Sequence, residues 1–260
     1  MSVWEAIVLG VIQGLTEFLP VSSSGHLELA NYLFGIEDPR NLQFTMAVHA
    51  ATVLSTIVVF ARELLRLLKG LLKFRMNDET IFVLNIIISM IPIAFVGLMF
   101  RDQVEALFTS NIRLVGVMLL VTAALLTFAN YAKPRTRPVT PKSAFIIGLA
   151  QAVAVLPGLS RSGSTISTGL MLGVKREEVS KFSFLMVLVP VIGANILEAV
   201  TMPAGDSISA TVLLSGFVAA FVTGTFACKW MIKLVNRGKL IWFAIYCLVI
   251  GAASIIMSFV

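Results

Sequence analysis

Six stretches of the chain run without one charged side chain for close to the roughly 20 residues that a helix needs to cross a bilayer's hydrocarbon. They cover residues 41 to 61, 80 to 100, 114 to 132, 182 to 197 with its flanks, 207 to 228, and 240 to 260. Lipid offers no partners to backbone N–H and C=O groups, so such stretches must satisfy them internally, as helices. The expected fold is an all-α integral membrane protein with six transmembrane helices. Composition agrees: of 260 residues, 58% are hydrophobic and 13% charged, against roughly 25% charged in a soluble domain. That leaves too little polar surface for a soluble enzyme, a disordered segment, a disulfide-stapled secreted module or a nucleic-acid binder. Cys228 and Cys247 lie in or beside apolar stretches without metal-ligand spacing and read as packing residues.

Two further apolar regions are interrupted. Residues 6 to 36 are cut by Glu17 and Glu28, and residues 143 to 174 by Arg161. Both are rich in Ser, Gly and Pro, and each divides into a short helix, a polar turn and a second short helix, the pattern of a re-entrant hairpin. Laid on itself at an offset of 138, the chain pairs Gly10 with Gly148, Gln13 with Gln151, Ser22 with Ser160, Ser24 with Ser162, and Gly25 with Gly163. Gly35 with Gly173 and Phe44 with Phe182 follow in the same register. The expected organisation is a single membrane domain over 1–260, with one repeat at about 1–132 and a second at about 143–260.

Charge gives the expected topology. Lys and Arg number five in 62 to 75, four in 133 to 142, three in 175 to 181 and four in 229 to 239. The alternate loops hold only Arg40, Arg101 and Arg113. Basic residues collect on the cytoplasmic side, which puts both termini outside. No basic residue precedes Arg40, so the N-terminus lacks the charged start of a cleaved signal peptide and is expected to be retained. Each half holds one hairpin and three spans, an odd number, so the halves are expected to be inverted relative to one another. Inverted repeats with broken helices place their site near mid-membrane, where the breaks meet. Residues 13 to 28 and 157 to 165 are expected to share it.

Arg161 is the only basic residue outside the loops. A centrally buried Arg costs about 2.5 to 3.5 kcal/mol on insertion scales, so it needs an anionic partner, in the protein or in a ligand. Within the protein that partner is Glu17. A ligand is favoured by the neighbours: Ser160, Ser162, Ser164 and Thr165 carry hydroxyls, while Gly158 and Gly163 allow backbone N–H groups close to an oxyanion. With a helix starting near Thr165, the segment reads as a phosphate cradle, without the Gly-Lys-Ser/Thr ending of a Walker loop. In the first hairpin Gln13 and Glu17 share a helical face, Pro20 ends the helix, and Ser22, Ser23, Ser24, Gly25 and His26 follow. Ser is a nucleophile when a base is near, Glu is that base or a metal ligand, and His is a general acid or a nucleophile. Glu28 reads as an interfacial side chain, His49 as a hydrogen-bonded packing residue, Glu5 and Glu198 as solvated helix-end groups, and Pro92 and Pro190 as kinks. ARELLRLLKGLLKFR, at 61 to 75, reads as an amphipathic helix on the cytoplasmic membrane surface.

IQGLTEFLPVSSSGH at 12 to 26 and LPGLSRSGST at 156 to 165 resemble the two signatures of the bacterial undecaprenyl-diphosphate phosphatase family, the bacitracin-resistance proteins. The resemblance extends to length, span number and motif spacing. It implies an inverted repeat with two re-entrant hairpins in the bacterial inner membrane and a site open to the outer face. The implied reaction is hydrolysis of undecaprenyl diphosphate to the monophosphate carrier used in peptidoglycan synthesis. It carries Glu17, Ser23, His26 and Arg161 as catalytic residues, with Gln13, Ser22, Ser24, Gly158, Ser160, Ser162, Gly163 and Thr165 around the substrate. A divalent cation, Mg2+ or Ca2+, is implied at Glu17. The family writes Glu or Gln four residues before that glutamate, and the Gln13 of this chain offers a neutral oxygen there. The expected partners are the prenyl diphosphate and membrane lipid, with no nucleic acid. Two other classes fit the residues alone: a carrier or flippase for a lipid phosphate, and a structural membrane subunit packed through small residues.

Overall fold

The structure, a computed structural model, describes all residues except 36–40, 108–110, 133–135, 202–207 and 260. The described residues form thirteen helices in order: α1 (Val3–Phe18), α2 (Ser23–Phe34), α3 (Asn41–Val59), α4 (Ala61–Leu71), α5 (Asp78–Met99), α6 (Arg101–Glu105), α7 (Ile112–Tyr131), α8 (Pro141–Val153), α9 (Arg161–Met171), α10 (Arg176–Met186), α11 (Leu188–Thr201), α12 (Ala210–Asn236) and α13 (Ile241–Met257). Among the described residues the only extended pairing is one bridge between Arg137 and Val174. The protein is an all-α membrane protein.

Among the described residues four helices are long and apolar enough to cross a bilayer: α5, α7, the combined α10–α11 helix over Arg176–Leu197, and α12. A fifth arises if α3 and α4, bent by 72° at Phe60, are counted together. The last of the six expected spans, α13, is apolar but only 17 residues long. Pro92 stays inside an unbroken α5. Pro190 stands at the third position of α11, and the boundary with α10 falls three residues before it, at Val187. Proline has no N–H to offer the preceding turn and crowds the carbonyl there, which accounts for the break.

The stretch expected to be amphipathic forms α4, with Leu65, Leu68, Leu71 and Leu72 exposed beside the basic residues. Glu63 on α4 pairs with Arg66 at 2.8 Å and with Lys181 of α10 at 2.9 Å, tying this helix to the second half.

Close packing is made by small residues at the helix crossings. Gly10 lies against the Gly216 carbonyl, and Gly14 against Thr223 and the Ala220 carbonyl, seating α1 on α12. In the same way Gly148 of α8 lies on the backbone of Ser89 in α5. Gly116 of α7 and Gly251 of α13 face each other, a Cβ on either meeting the other's carbonyl at 2.8 Å. Without a hydrophobic drive between helices in lipid, such backbone approach is what holds them together.

Candidate active site

Both interrupted regions fold as helix, break, helix, and the breaks meet. α1 ends at Phe18, one residue before the Leu19–Pro20 step, because the proline ring disfavours a helical residue ahead of it. α2 restarts at Ser23 behind Ser22, whose hydroxyl accepts from the Gly25 N–H at 3.3 Å. The second break runs from 154 to 160, with Gly158 at φ +91°, and α9 starts at Arg161. This corrects the expectation of a helix beginning near Thr165. Ser160 caps the helix four residues earlier, its hydroxyl accepting from the Gly163 N–H at 3.0 Å. Arg161 thus occupies the first turn, where free N–H groups and the helix dipole favour anions.

The hairpins touch at two glycines. A Cβ on Gly25 would stand 2.9 Å from the Gly158 Cα, so only glycine permits this approach. Ser162 adds a hydrogen bond to the Leu19 carbonyl at 3.3 Å.

A small polar cavity of about 50 Å³ lies at this meeting point, lined by Thr16, Glu17, Ser22, Ser23, Ser24, Ala154, Leu159, Ser160, Arg161 and Ser162. Seven of these were singled out from the sequence; Thr16 and Leu159 fall inside the two expected ranges without having been named, and Ala154 lies just outside the second. Glu17 is the hub. Its Oε2 accepts from the Ser23 hydroxyl at 2.7 Å and from the Gln13 amide at 3.1 Å, while Oε1 pairs with Nη2 of Arg161. The protein itself therefore supplies an anionic partner for Arg161, and Nη1 of the same guanidinium is buried without a partner.

The remaining expected residues sit around the cavity without lining it. Gln13 reaches it through Glu17, with its Oε1 buried and unpaired. Thr165 turns to Ser183 on α10 at 2.6 Å, Gly163 serves the helix cap, and Gly158 packs against Val115. His26 points to α13: its Nδ1 lies 2.8 Å from the Ser22 carbonyl and its Nε2 2.8 Å from the Tyr246 hydroxyl. His49, expected only to pack, has Nδ1 2.9 Å from the Thr45 carbonyl and Nε2 4.0 Å from Glu17 Oε2. A second, narrower cavity shares Glu17 and Arg161 and is walled by Phe18, Val53, Phe184, Val187, Leu188 and Val191.

Among the described residues no three His, Cys, Asp or Glu side chains come together to hold a metal. Glu17 and the unpaired Gln13 Oε1 offer two hard oxygens. A Mg2+ or Ca2+ ion there would have to displace one of the donors that already engage both Glu17 oxygens, and would draw its other ligands from water and phosphate oxygens.

A helical membrane protein with a buried guanidinium, a carboxylate-bound serine and a helix start around one cavity has the equipment for phosphate chemistry inside a bilayer. The chain belongs to the BacA family: the family model "Bacitracin resistance protein BacA" matches residues 6–253. It is 56% identical over 263 residues to an undecaprenyl-diphosphatase of Bacteroides fragilis, covering 99% of each chain. The identity is 58% over 261 residues with that of Bacteroides thetaiotaomicron, covering 98% of this chain and 99% of the other. It is 52% with that of Christiangramia forsetii, covering 100% and 99%.

Proposed function

We propose that this chain hydrolyses undecaprenyl diphosphate to undecaprenyl phosphate and inorganic phosphate in the bacterial inner membrane, returning the lipid carrier to peptidoglycan synthesis. The observation that carries the reading is the joining of the Ser23 hydroxyl, Glu17 and Arg161 in one cavity built from both hairpins. The family and the names of its relatives support the same reaction. The prenyl tail stays in lipid while the headgroup enters between the helices, which gives a reason for burying the chemistry.

Ser23 is the nucleophile in this reading. Its proton passes to Glu17 Oε2, the Oγ–P bond forms, and the bond from the terminal phosphorus to the bridging oxygen breaks, releasing the lipid monophosphate. Water then cleaves the phosphoserine and frees inorganic phosphate. Charge on the transferring phosphoryl is met by Arg161, whose Nη1 has no protein partner, and by the N-terminal turn of α9. Gln13, Ser22, Ser24, Ser160 and Ser162 surround these groups, and Gly158, Gly163 and Thr165 shape the cradle behind them. His26 supplies the proton to the leaving group or assists the hydrolysis. Both of its ring nitrogens are already engaged, which favours Ser23 over His26 as the attacking group. A divalent cation on Glu17 and Gln13 would neutralise phosphate charge. The positive-inside pattern supports inverted halves, both termini outside and a site open to the outer face.

The test is phosphate release from a long-chain prenyl diphosphate by the purified protein in detergent, with and without chelator. Arg161→Ala and Glu17→Ala are each expected to lower kcat by on the order of 10²-fold or more. Trapped phosphoserine at Ser23 would identify the nucleophile. A folded wild type that binds the lipid and releases no phosphate would sink the hydrolase reading in favour of a carrier.

A further inference from the structure

Tyr246 lies on α13, more than 200 residues from the first hairpin and outside both motifs, yet it makes the closest side-chain contact of His26. The rings stack with centroids 5.6 Å apart and planes 11° from parallel. The Ser22 carbonyl can only accept, so the Nδ1 beside it carries the hydrogen, and a neutral His26 presents its lone pair from Nε2 to the Tyr246 hydroxyl. The phenol is suited to both protonation states, donating to the neutral ring and accepting from the imidazolium. The next residue, Cys247, reaches the Pro20 carbonyl at 3.7 Å, so one turn of α13 braces the break at two points.

We propose that Tyr246 is a positioning residue for the reaction, fixing the ring plane of His26 and its Nδ1-protonated tautomer, so that Nε2 is the nitrogen that takes up and gives back the proton. The inference rests on the reading of His26 as a proton carrier. Tyr246→Phe keeps the aromatic face and removes the hydroxyl. It is expected to lower kcat about tenfold, the scale of one hydrogen bond to an ionisable group, with KM within about twofold. A residue that merely supports the fold would move KM and folded yield together.

The closing experiment is a cycle of wild type, Tyr246→Phe, His26→Gln and the double variant, measured by phosphate release from a long-chain prenyl diphosphate. The expected result is that both single variants lose kcat and the double variant is no worse than His26→Gln, since the two act as a unit. An unchanged kcat in Tyr246→Phe, with His26→Gln impaired, overturns the inference alone. A His26→Gln enzyme at wild-type kcat overturns the underlying reading of His26. Should Tyr246→Phe fail to fold, 15N spectra of the wild-type histidines decide: His26 is one of only two, and a neutral ring protonated at Nε2 would refute the proposed tautomer.

Discussion

The two hairpins are alike in their frame and unlike in their chemistry. In each, a serine caps the second helix and a serine two residues on lies beside it, Ser22 and Ser24 at 3.3 Å, Ser160 and Ser162 at 3.4 Å. In each, the first helix is seated through a glycine on the backbone of another helix, Gly10 on α12 and Gly148 on α5. The offset of 138 then places Arg161 opposite Ser23, Val155 opposite Glu17, Ser164 opposite His26 and Val187 opposite His49. The retained positions are the ones that build a helix restart inside a membrane. The positions that differ include Glu17, Ser23 and Arg161, which carry the proposed reaction, while the retained serines line the same cavity. In the proposed reaction one hairpin thus holds the nucleophile and proton carriers, and the other the charge that receives the phosphate.

The breaks also differ in length. The first, over 19 to 22, is short enough to drive Ser22 to φ +70°, a region costly for a residue with a side chain. The second, over 154 to 160, gives the positive φ to Gly158. Each break leans on a different helix. Thr122 of α7 accepts from the Ser160 N–H at 3.0 Å, and α13 supplies Tyr246 and Cys247 to the first.

Four measurements would break or sharpen this division. Ser23→Ala and Arg161→Ala, at equivalent positions, should each abolish most turnover, by on the order of 10³-fold, while their combination adds little. Comparable activity in either variant would dissolve the split between nucleophile and charge. Gly25→Val should then cost about 1 to 3 kcal/mol of stability by forcing the hairpins apart, seen as a lower unfolding temperature in detergent. Thr122→Val strands the Ser160 N–H and should cost at least about 1 kcal/mol, whereas Cys247→Ala, losing only a weak S–H contact, should cost less. If the second loss exceeds the first, the two braces are not used as described. The smallest effect is expected at His49→Gln, about a threefold drop in kcat, because at 4.0 Å the imidazole makes no direct hydrogen bond to Glu17.

Much of this frame is legible in the chain. Charge-free stretches located the long helices, and the clusters of Ser, Gly and Pro located both breaks. The pairing of Gln13 with Glu17 followed from helical spacing alone. The misses have a common cause. The start of α9 depends on the Ser160 cap winning over an extended turn. The bend between α3 and α4 falls inside one apolar run. His49 and Tyr246 sit in spans whose periodicity carries no sign of what lies across from them. Their contacts arise only when α3 and α13 pack against the hairpins, a relation between residues tens to hundreds of positions apart.

The Glu17–Arg161 pair has a consequence for traffic in the surrounding bilayer. The common phospholipids of a bilayer present phosphodiesters, each with a single negative charge. To settle on Arg161, a headgroup must compete with a carboxylate already held in place by Ser23 and Gln13. A singly charged diester gains little from that exchange, while the terminal phosphate of a diphosphate brings more charge and more acceptor oxygens. In the proposed reaction the internal ion pair would therefore act as a threshold, keeping the site closed to common lipids and admitting the rare one whose charge exceeds that of the residue it displaces.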